Sequence, residues 1–234
     1  HLMCLIVFAW RPDHAQPLIV AANRDEFYAR PSLPLAQWPE APHVHAGRDL
    51  EAGGSWLGIG ANGRFAAFTN IRDPHQPPAR KSRGELVAGF LTGDQSLEDY
   101  LADVVDRSPD YAGFNLLLGN HHELWHFNAR MSEPVMLESG VYGLSNAGLD
   151  TPWPKLLKAK AALSAVLEDP TPARLLELLG DAQTAPFAEL PDTGVGLATE
   201  SLLSSVFIAS QSYGTRASTA LIVQADGTRR MVER

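Results

Sequence analysis

A layered α+β fold is what the sequence predicts, on two observations. β-rich apolar runs lie towards both ends of the chain, and capped helical segments fill the stretches between them. The two kinds of segment do not alternate one for one, as a parallel βαβ fold requires. Cys4–Trp10 and Pro17–Ala22 flank the turn-like RPDHAQ and read as a buried hairpin. In Ser55–Thr69, Asn62-Gly63 separates two apolar runs and supplies the positive φ angles of a tight turn. Gly113–Phe127 repeats the design with a polar tip, and Val141–Ser145 is a further short strand. Ser204–Ser210 and Thr215–Val223 read as strands, with Asp226-Gly227 turning into a last one.

Helices are expected where capping residues precede helical spacing. Ser82 and Glu85 make a capping-box pattern ahead of GELVAGFLT. Ser96 precedes LEDYLADVV, whose apolar positions keep the 3.6 period. Thr151-Pro152 and Thr171-Pro172 each put a hydroxyl before a proline allowed in the first turn. Asp73–Lys81 and Thr184–Thr193 read as surface loops, so residues 4–234 are expected to form a single domain. If Met3 is the biological start, His1 and Leu2 are an expression remnant.

The composition narrows the function. The chain has 234 residues, 45% hydrophobic and 20% charged, with a formal net charge of −8. That charge argues against nucleic acid and against anionic membrane surfaces as partners. No apolar run is long enough to span a bilayer, and no leader pattern is seen, so a cytoplasmic protein is expected. One cysteine, Cys4, allows neither an internal disulfide nor a cysteine-based zinc site.

A lone cysteine in an apolar strand is ordinarily a small buried hydrophobe. Directly after methionine, however, processing would leave it N-terminal, with a thiol and a free α-amine on one residue. Further motifs give that position meaning: MCLIVF, NRDEFYARP, GGSWLGI, RGELV, GFNLL, YGLSNAGLDTPWPK and YGTR. In this order the chain resembles the NRDE family (the transport and Golgi organisation protein 2 family) from Met3 to about Arg230, most weakly through Lys160–Leu203. The resemblance implies the four-layer αββα sandwich of N-terminal-nucleophile (Ntn) hydrolases, with two mainly antiparallel sheets. It also implies likeness to the choloylglycine hydrolase and penicillin V acylase group. On that basis Cys4 matches the nucleophile and Asp25 the aspartate at the end of the second strand. Asn70 and Asn146 match the oxyanion asparagines, and Arg216 matches the late arginine. Arg24 departs from the pattern, because the early arginine of that group lies three residues before the aspartate. Strand neighbours point to opposite faces, so Asn23 and Asp25 share one face and Arg24 takes the other; this favours Asp25 over Arg24.

The chemistry implied is cleavage of a small non-peptide amide through a thioester at Cys4. The α-amine would take the thiol proton, Asp25 would hold the ammonium, and the asparagine amides would bind the oxyanion. No cofactor is required. Each asparagine has a plainer reading as a turn or cap residue, and Arg216 as half of a surface ion pair. An alternative is a non-catalytic haem, lipid or acyl-CoA binding or trafficking protein, with Cys4 or a histidine as an iron ligand, although no CxxCH motif is present. His43 and His45, followed by Asp49, faintly suggest a metal site, and His121, His122 and His126 add candidates. No third ligand has convincing spacing, so no metal is expected. Substrate identity and oligomeric state are not readable.

Overall fold

The computed structural model describes residues 3–234, with the backbone alone at Met3. The remnant expected at His1 and Leu2 lies outside the described residues. Chain contacts divide the molecule into two compact units. The first comprises the segment up to Ala29, Arg72–His75 and Glu138–Arg234; the second comprises Arg30–Ile71 and Gln76–Leu137.

The first unit is built on β1 (Met3–Trp10), β2 (Leu18–Phe27), β10 (Gly140–Leu144), β11 (Tyr213–Val223) and β12 (Arg229–Glu233). They form one antiparallel sheet in the order β10-β1-β2-β11-β12. One face carries Leu5, Val7, Ala9, Ile19, Ala21, Ala220 and Ile222. Against it pack Leu156, Ala159 and Leu163 of α3 (Pro154–Val166) and Leu175 and Leu176 of α4 (Pro172–Leu178). Cys4, Ile6, Phe8 and Trp10 on the alternate positions are buried as well. Burial on both faces explains why LIVFAW is a continuous apolar run without polar alternation.

The second unit is a seven-stranded antiparallel meander, β3 to β9 in chain order. Its strands are β3 (Ser32–Trp38), β4 (Ala41–Asp49), β5 (Leu57–Ile59), β6 (Phe65–Asn70), β7 (Phe114–Gly119), β8 (Leu124–Asn128) and β9 (Val135–Met136). The helix α1 (Gly84–Thr92) packs on β4, β5 and β6, and α2 (Leu97–Arg107) joins it through Phe90 and Tyr100. Between β5 and β6 the expected turn is formed, with Asn62 at φ 57° and Gly63 at φ 71°.

The α+β class of two antiparallel sheets with helices is as expected, and three local expectations are corrected. Ser204–Ser210 is not a strand. Its backbone is held by scattered partners instead: Asn23 Nδ2 donates to the Val206 carbonyl at 3.0 Å, the Phe207 N–H to the Asp181 carbonyl at 2.7 Å, and the Ile208 N–H to Thr215 Oγ1 at 2.9 Å. The capping box at Ser82 does not form. Arg83 is the N-cap residue, and Glu85 accepts a hydrogen bond from the Tyr111 hydroxyl. In TPWP the second proline, Pro154, opens α3 and Trp153 is the N-cap, so Thr151 does not cap. Ser96 and Thr171 do cap, accepting from the Asp99 and Arg174 amides at 3.1 and 3.2 Å.

Candidate active site

The strand β2 runs unbroken through Asn23, Arg24, Asp25 and Glu26, all four of them buried. Alternation divides them as expected. Asn23 faces the helices, donating to the Leu179 and Val206 carbonyls at 2.9 and 3.0 Å and accepting from Ser218 Oγ at 2.6 Å. Asn23 is therefore a tie between sheet and helical layer. Asp25 shares that face, where Thr215 Oγ1 donates to its Oδ1 at 2.6 Å.

Across the ladder Cys4 pairs with Arg24, and Met3 pairs with Asp25. Cys4 therefore shares Arg24's face, while the backbone just ahead of it lies opposite the aspartate. Cys4 is 3% exposed. Burial pushes its thiol well above the ordinary range and the Asp25 charge adds to that; Arg24 and the Asp25 backbone amide pull the other way. The register thus sets Arg24 across from Cys4 on the same face, and the charges of Arg24 and Asp25 both act on the thiol. Ser145 Oγ lies 3.3 Å from the Cys4 carbonyl oxygen and 3.4 Å from Asn146 Oδ1, its one hydrogen shared between these two acceptors. Asn146 is 1% exposed, and its carbonyl accepts the Arg72 backbone N–H at 2.8 Å.

Arg216 lies in a β-bulge. Thr215 pairs with Asp25 and Ala217 with Arg24, so Arg216 is the extra residue between two paired positions. Bulges re-aim side chains, and this one lets Thr215 face Asp25 while Arg216 Nη1 donates to the Phe27 carbonyl at 2.9 Å. The glycine of YGTR is demanded by close approach, since a Cβ at Gly214 would stand 2.5 Å from the Ile208 carbonyl oxygen and collide with the Tyr28 hydroxyl. Asn70 belongs to the second unit, where it is buried at the end of β6 opposite Phe114.

Four residues of this region are not among those singled out from the sequence. Lys155, the second residue of α3, is 2% exposed, and its Nζ donates to the Leu203 carbonyl at 3.1 Å. Burial lowers its pKa while the Asp25 charge, foremost, opposes the change. Burial conversely raises Asp25, with Lys155, Thr215 and Arg72 opposing. The Arg72 guanidinium lies over the Trp153 ring at 4.5 Å and donates from Nη1 to Glu200 Oε2 at 3.4 Å. Glu200 also accepts from the Thr193 hydroxyl. Among the described residues of the first unit, three basic side chains (Arg24, Arg72, Lys155) and three acidic ones (Asp25, Glu26, Glu200) are buried. Lys155 and Thr215 stand inside the TPWPK and YGTR motifs, and Arg72 follows Asn70 by two residues. Glu200 lies where the resemblance is faintest.

The histidines stand apart. His43 is exposed and His45 half-buried on the alternate positions to the fully buried Val44. Asp49 accepts from Arg30 at 3.0 and 2.6 Å. Among the described residues no three or more His, Cys, Asp or Glu side chains gather as metal ligands do. No helix among them is long and apolar enough to cross a membrane.

Comparison with known proteins adds two findings. In fold, the chain is similar to the Caenorhabditis elegans N-acylethanolamine-hydrolyzing acid amidase ortholog, with a TM-score of 0.55 at 11% identity, covering 98% of this chain and 100% of that one. It is likewise similar to a mutant conjugated bile acid hydrolase from Clostridium perfringens, with a TM-score of 0.52 at 7% identity, covering 99% and 92%. At these identities the likeness is one of fold, that of the Ntn hydrolases. In sequence, the mouse and human homologues of Transport and Golgi organization 2 are 35% and 37% identical, each over 99% of this chain and 92% of the relative. The Drosophila melanogaster protein is 28% identical over 99% of this chain and 91% of its own length. A family model matches residues 3–234, and the chain belongs to the Transport and Golgi organisation 2 family.

Proposed function

We propose that the protein is a cysteine amidohydrolase that cleaves a small non-peptide amide through a thioester on Cys4. The observation that carries this reading is the register at the head of the first sheet: Cys4 lies opposite Arg24, and the peptide bond ahead of it lies beside Asp25. Breaking the Met3–Cys4 bond would free an α-amine next to a buried carboxylate whose Oδ2 has no hydrogen-bond partner among the described residues. The amine then takes the Cys4 proton, directly or through one water, and the thiolate attacks the amide carbon. Arg24 favours the thiolate. The Asn146 side-chain amide is the donor to the tetrahedral oxygen that the resemblance implies. As the C–N bond breaks, the α-ammonium returns its proton to the leaving amine. Water then attacks the thioester, the α-amine accepts its proton, and the C–S bond breaks to release the acid and the thiol. Neither the fold relatives' substrates nor the family's name specifies the amide.

The test uses three forms: protein beginning at Cys4, protein retaining Met3, and Cys4→Ala beginning at residue 4. Each is incubated with a panel of N-acyl amines and amino acids. Hydrolysis by the first form alone is expected, together with an acyl adduct on Cys4 in the intact mass. Hydrolysis undiminished in Cys4→Ala would sink the reading. A second reading, a non-catalytic carrier of haem, lipid or acyl-CoA, draws on the buried, protonation-favouring setting of Cys4. Binding of haem, lipid or acyl-CoA that persists in Cys4→Ala, with no amide hydrolysed, would put it first.

A further inference from the structure

Lys155 has no role in the reaction outlined above, yet it buries a full ammonium at the head of α3. Such burial is costly unless the charge is used or compensated. An ammonium has three donors, and one of these is spent on the Leu203 carbonyl. The foremost charge acting in its favour is the Asp25 carboxylate, on the face of the sheet against which α3 packs. No hydrogen bond joins the two, so the charges act across the low-dielectric interior, where such attraction falls off slowly. Asp25 takes one hydrogen bond, from Thr215, on Oδ1, while Oδ2 has no partner among the described residues. A carboxylate so poorly solvated holds its charge only if a cation faces it.

We propose that Lys155 is a positioning residue that keeps the Asp25 carboxylate ionised beside Cys4, from a fixed seat between the head of α3 and the Leu203 carbonyl. The proposal deepens the hydrolase reading and rests on it for its purpose, since only an ionised Asp25 can hold the ammonium of a processed Cys4. The surroundings of the pair leave this task to Lys155. Arg72 also faces Asp25, but its charge is shared with Glu200, which it meets at 3.4 Å. Arg24 and Glu26 flank Asp25 on β2 and point to the other face, Thr215 of β11 is neutral, and Cys4 lies across the ladder. Lys155 in turn is faced by Asp25, Arg72 and Cys4. Its seat is built by close packing: α3 reaches the sheet where Gly143 of β10 leaves no room for a Cβ, the Leu156 side chain lying 2.6 Å from where one would be.

The experiment follows the Asp25 carboxyl by NMR in the full chain with 13C-labelled aspartate, its signal assigned by loss in Asp25→Asn. It is run on the wild type, Lys155→Met and Lys155→Arg. The Cys4 alkylation rate with iodoacetamide is recorded against pH in the same samples. The expected result is a rise of one pH unit or more in the Asp25 midpoint in Lys155→Met, reversed in Lys155→Arg. The inflection that Asp25 leaves in the alkylation profile moves with it. An unmoved midpoint overturns the proposal. So does a moved midpoint with an unmoved alkylation profile, which would reduce Lys155 to a structural charge. Should Lys155→Met not fold, the reciprocal measurement decides: by linkage, the Lys155 Nζ midpoint in 15N-lysine protein must fall by the same amount in Asp25→Asn. Coupled shifts together with no hydrolysis of any amide would sink the hydrolase reading and leave the pairing supported.

Discussion

The two units bury polarity in opposite ways. In the second, Thr69, Asn115 and Asn128 lie side by side across β6, β7 and β8. Asn115 Oδ1 accepts from His126 Nε2 at 3.0 Å and from Asn128 Nδ2 at 2.9 Å, while Asn115 Nδ2 donates to Thr69 Oγ1 at 3.2 Å. A carbonyl oxygen only accepts, so this network orients the His126 ring with a proton on Nε2. Where β1 begins and β2 ends, and at the head of α3, the first unit instead buries ionisable groups: a thiol, Asp25 with one oxygen unpartnered, and Lys155 with one acceptor. Neutral polar groups that satisfy one another cost a sheet little. A charged cluster left short of partners weakens the fold, and that cost is what the proposed chemistry would account for.

The sharpest way to break this contrast is to remove one charge from the first cluster. Lys155→Met strands Asp25, and loss of one partner from a buried ionic set typically costs about 3–5 kcal/mol. The double variant Asp25→Asn/Lys155→Met is expected to recover most of that loss in urea denaturation, because neither charge is then stranded. The pH dependence has a definite sign. Burial raises Asp25 from its ordinary 3.8 to about 6, so the folded state holds that proton more tightly and stability falls as pH rises through this window. Burial lowers Lys155 from 10.5 to about 8, so the unfolded state binds more protons between these values and stability rises across them. The pair is therefore most costly between about pH 6 and 8, and the double variant is expected to flatten both slopes.

Cutting the neutral network makes the next largest effect. Asn115→Leu leaves Thr69, His126 and Asn128 short of a partner, at about 1–3 kcal/mol per stranded group before any relaxation. Thermal denaturation is expected to register that loss while the pH profile of Cys4 alkylation keeps its wild-type shape. A shifted profile would mean that the two clusters are not separate in their effects. Smaller still is Thr215→Val, which removes a hydrogen bond to a carboxylate, worth roughly 1.5–3 kcal/mol, takes the acceptor from the Ile208 N–H as well, and raises Asp25 further. Thr215→Ser, which retains the hydroxyl, is expected to restore both stability and titration.

Much of this was legible in the sequence, for reasons that differ by element. β1 showed as an apolar run because it is buried on both faces, and the β5–β6 turn showed because only residues such as Asn62 and Gly63 tolerate its φ angles. Alternation along NRDE correctly parted Asp25 from Arg24. Which of the two faces Cys4 depends on the register between β1 and β2, and one strand's sequence does not state its partner's register. Lys155 and Glu200 were invisible for a related cause: a charged residue near a helix start reads as solvent-facing until the fold covers it. Ser204–Ser210 looked like a strand by composition, but its backbone partners are scattered: the Asn23 side chain and the Asp181 carbonyl, far off in sequence, and the Thr215 hydroxyl close by.

The smallest predicted effects test the same distinction between a polar group that is paired and one that only looks so. Ser96 and Ser82 each precede a helix in the second unit, and by residue type both are good caps. Ser96 Oγ accepts the Asp99 amide at 3.1 Å, so Ser96→Ala removes the partner of an otherwise orphaned N–H, at a cost of about 1 kcal/mol. At the head of α1 the cap position is filled by Arg83, which makes no side-chain cap bond, and Glu85, the other half of the apparent capping box, is engaged by Tyr111. Ser82→Ala therefore removes no cap bond and is expected to change stability by less than about 0.5 kcal/mol, within the range of ordinary surface substitutions. Urea denaturation of the two variants side by side makes the comparison. Equal losses would mean that Ser82 caps α1 in solution and that the Glu85–Tyr111 hydrogen bond gives way to the capping box.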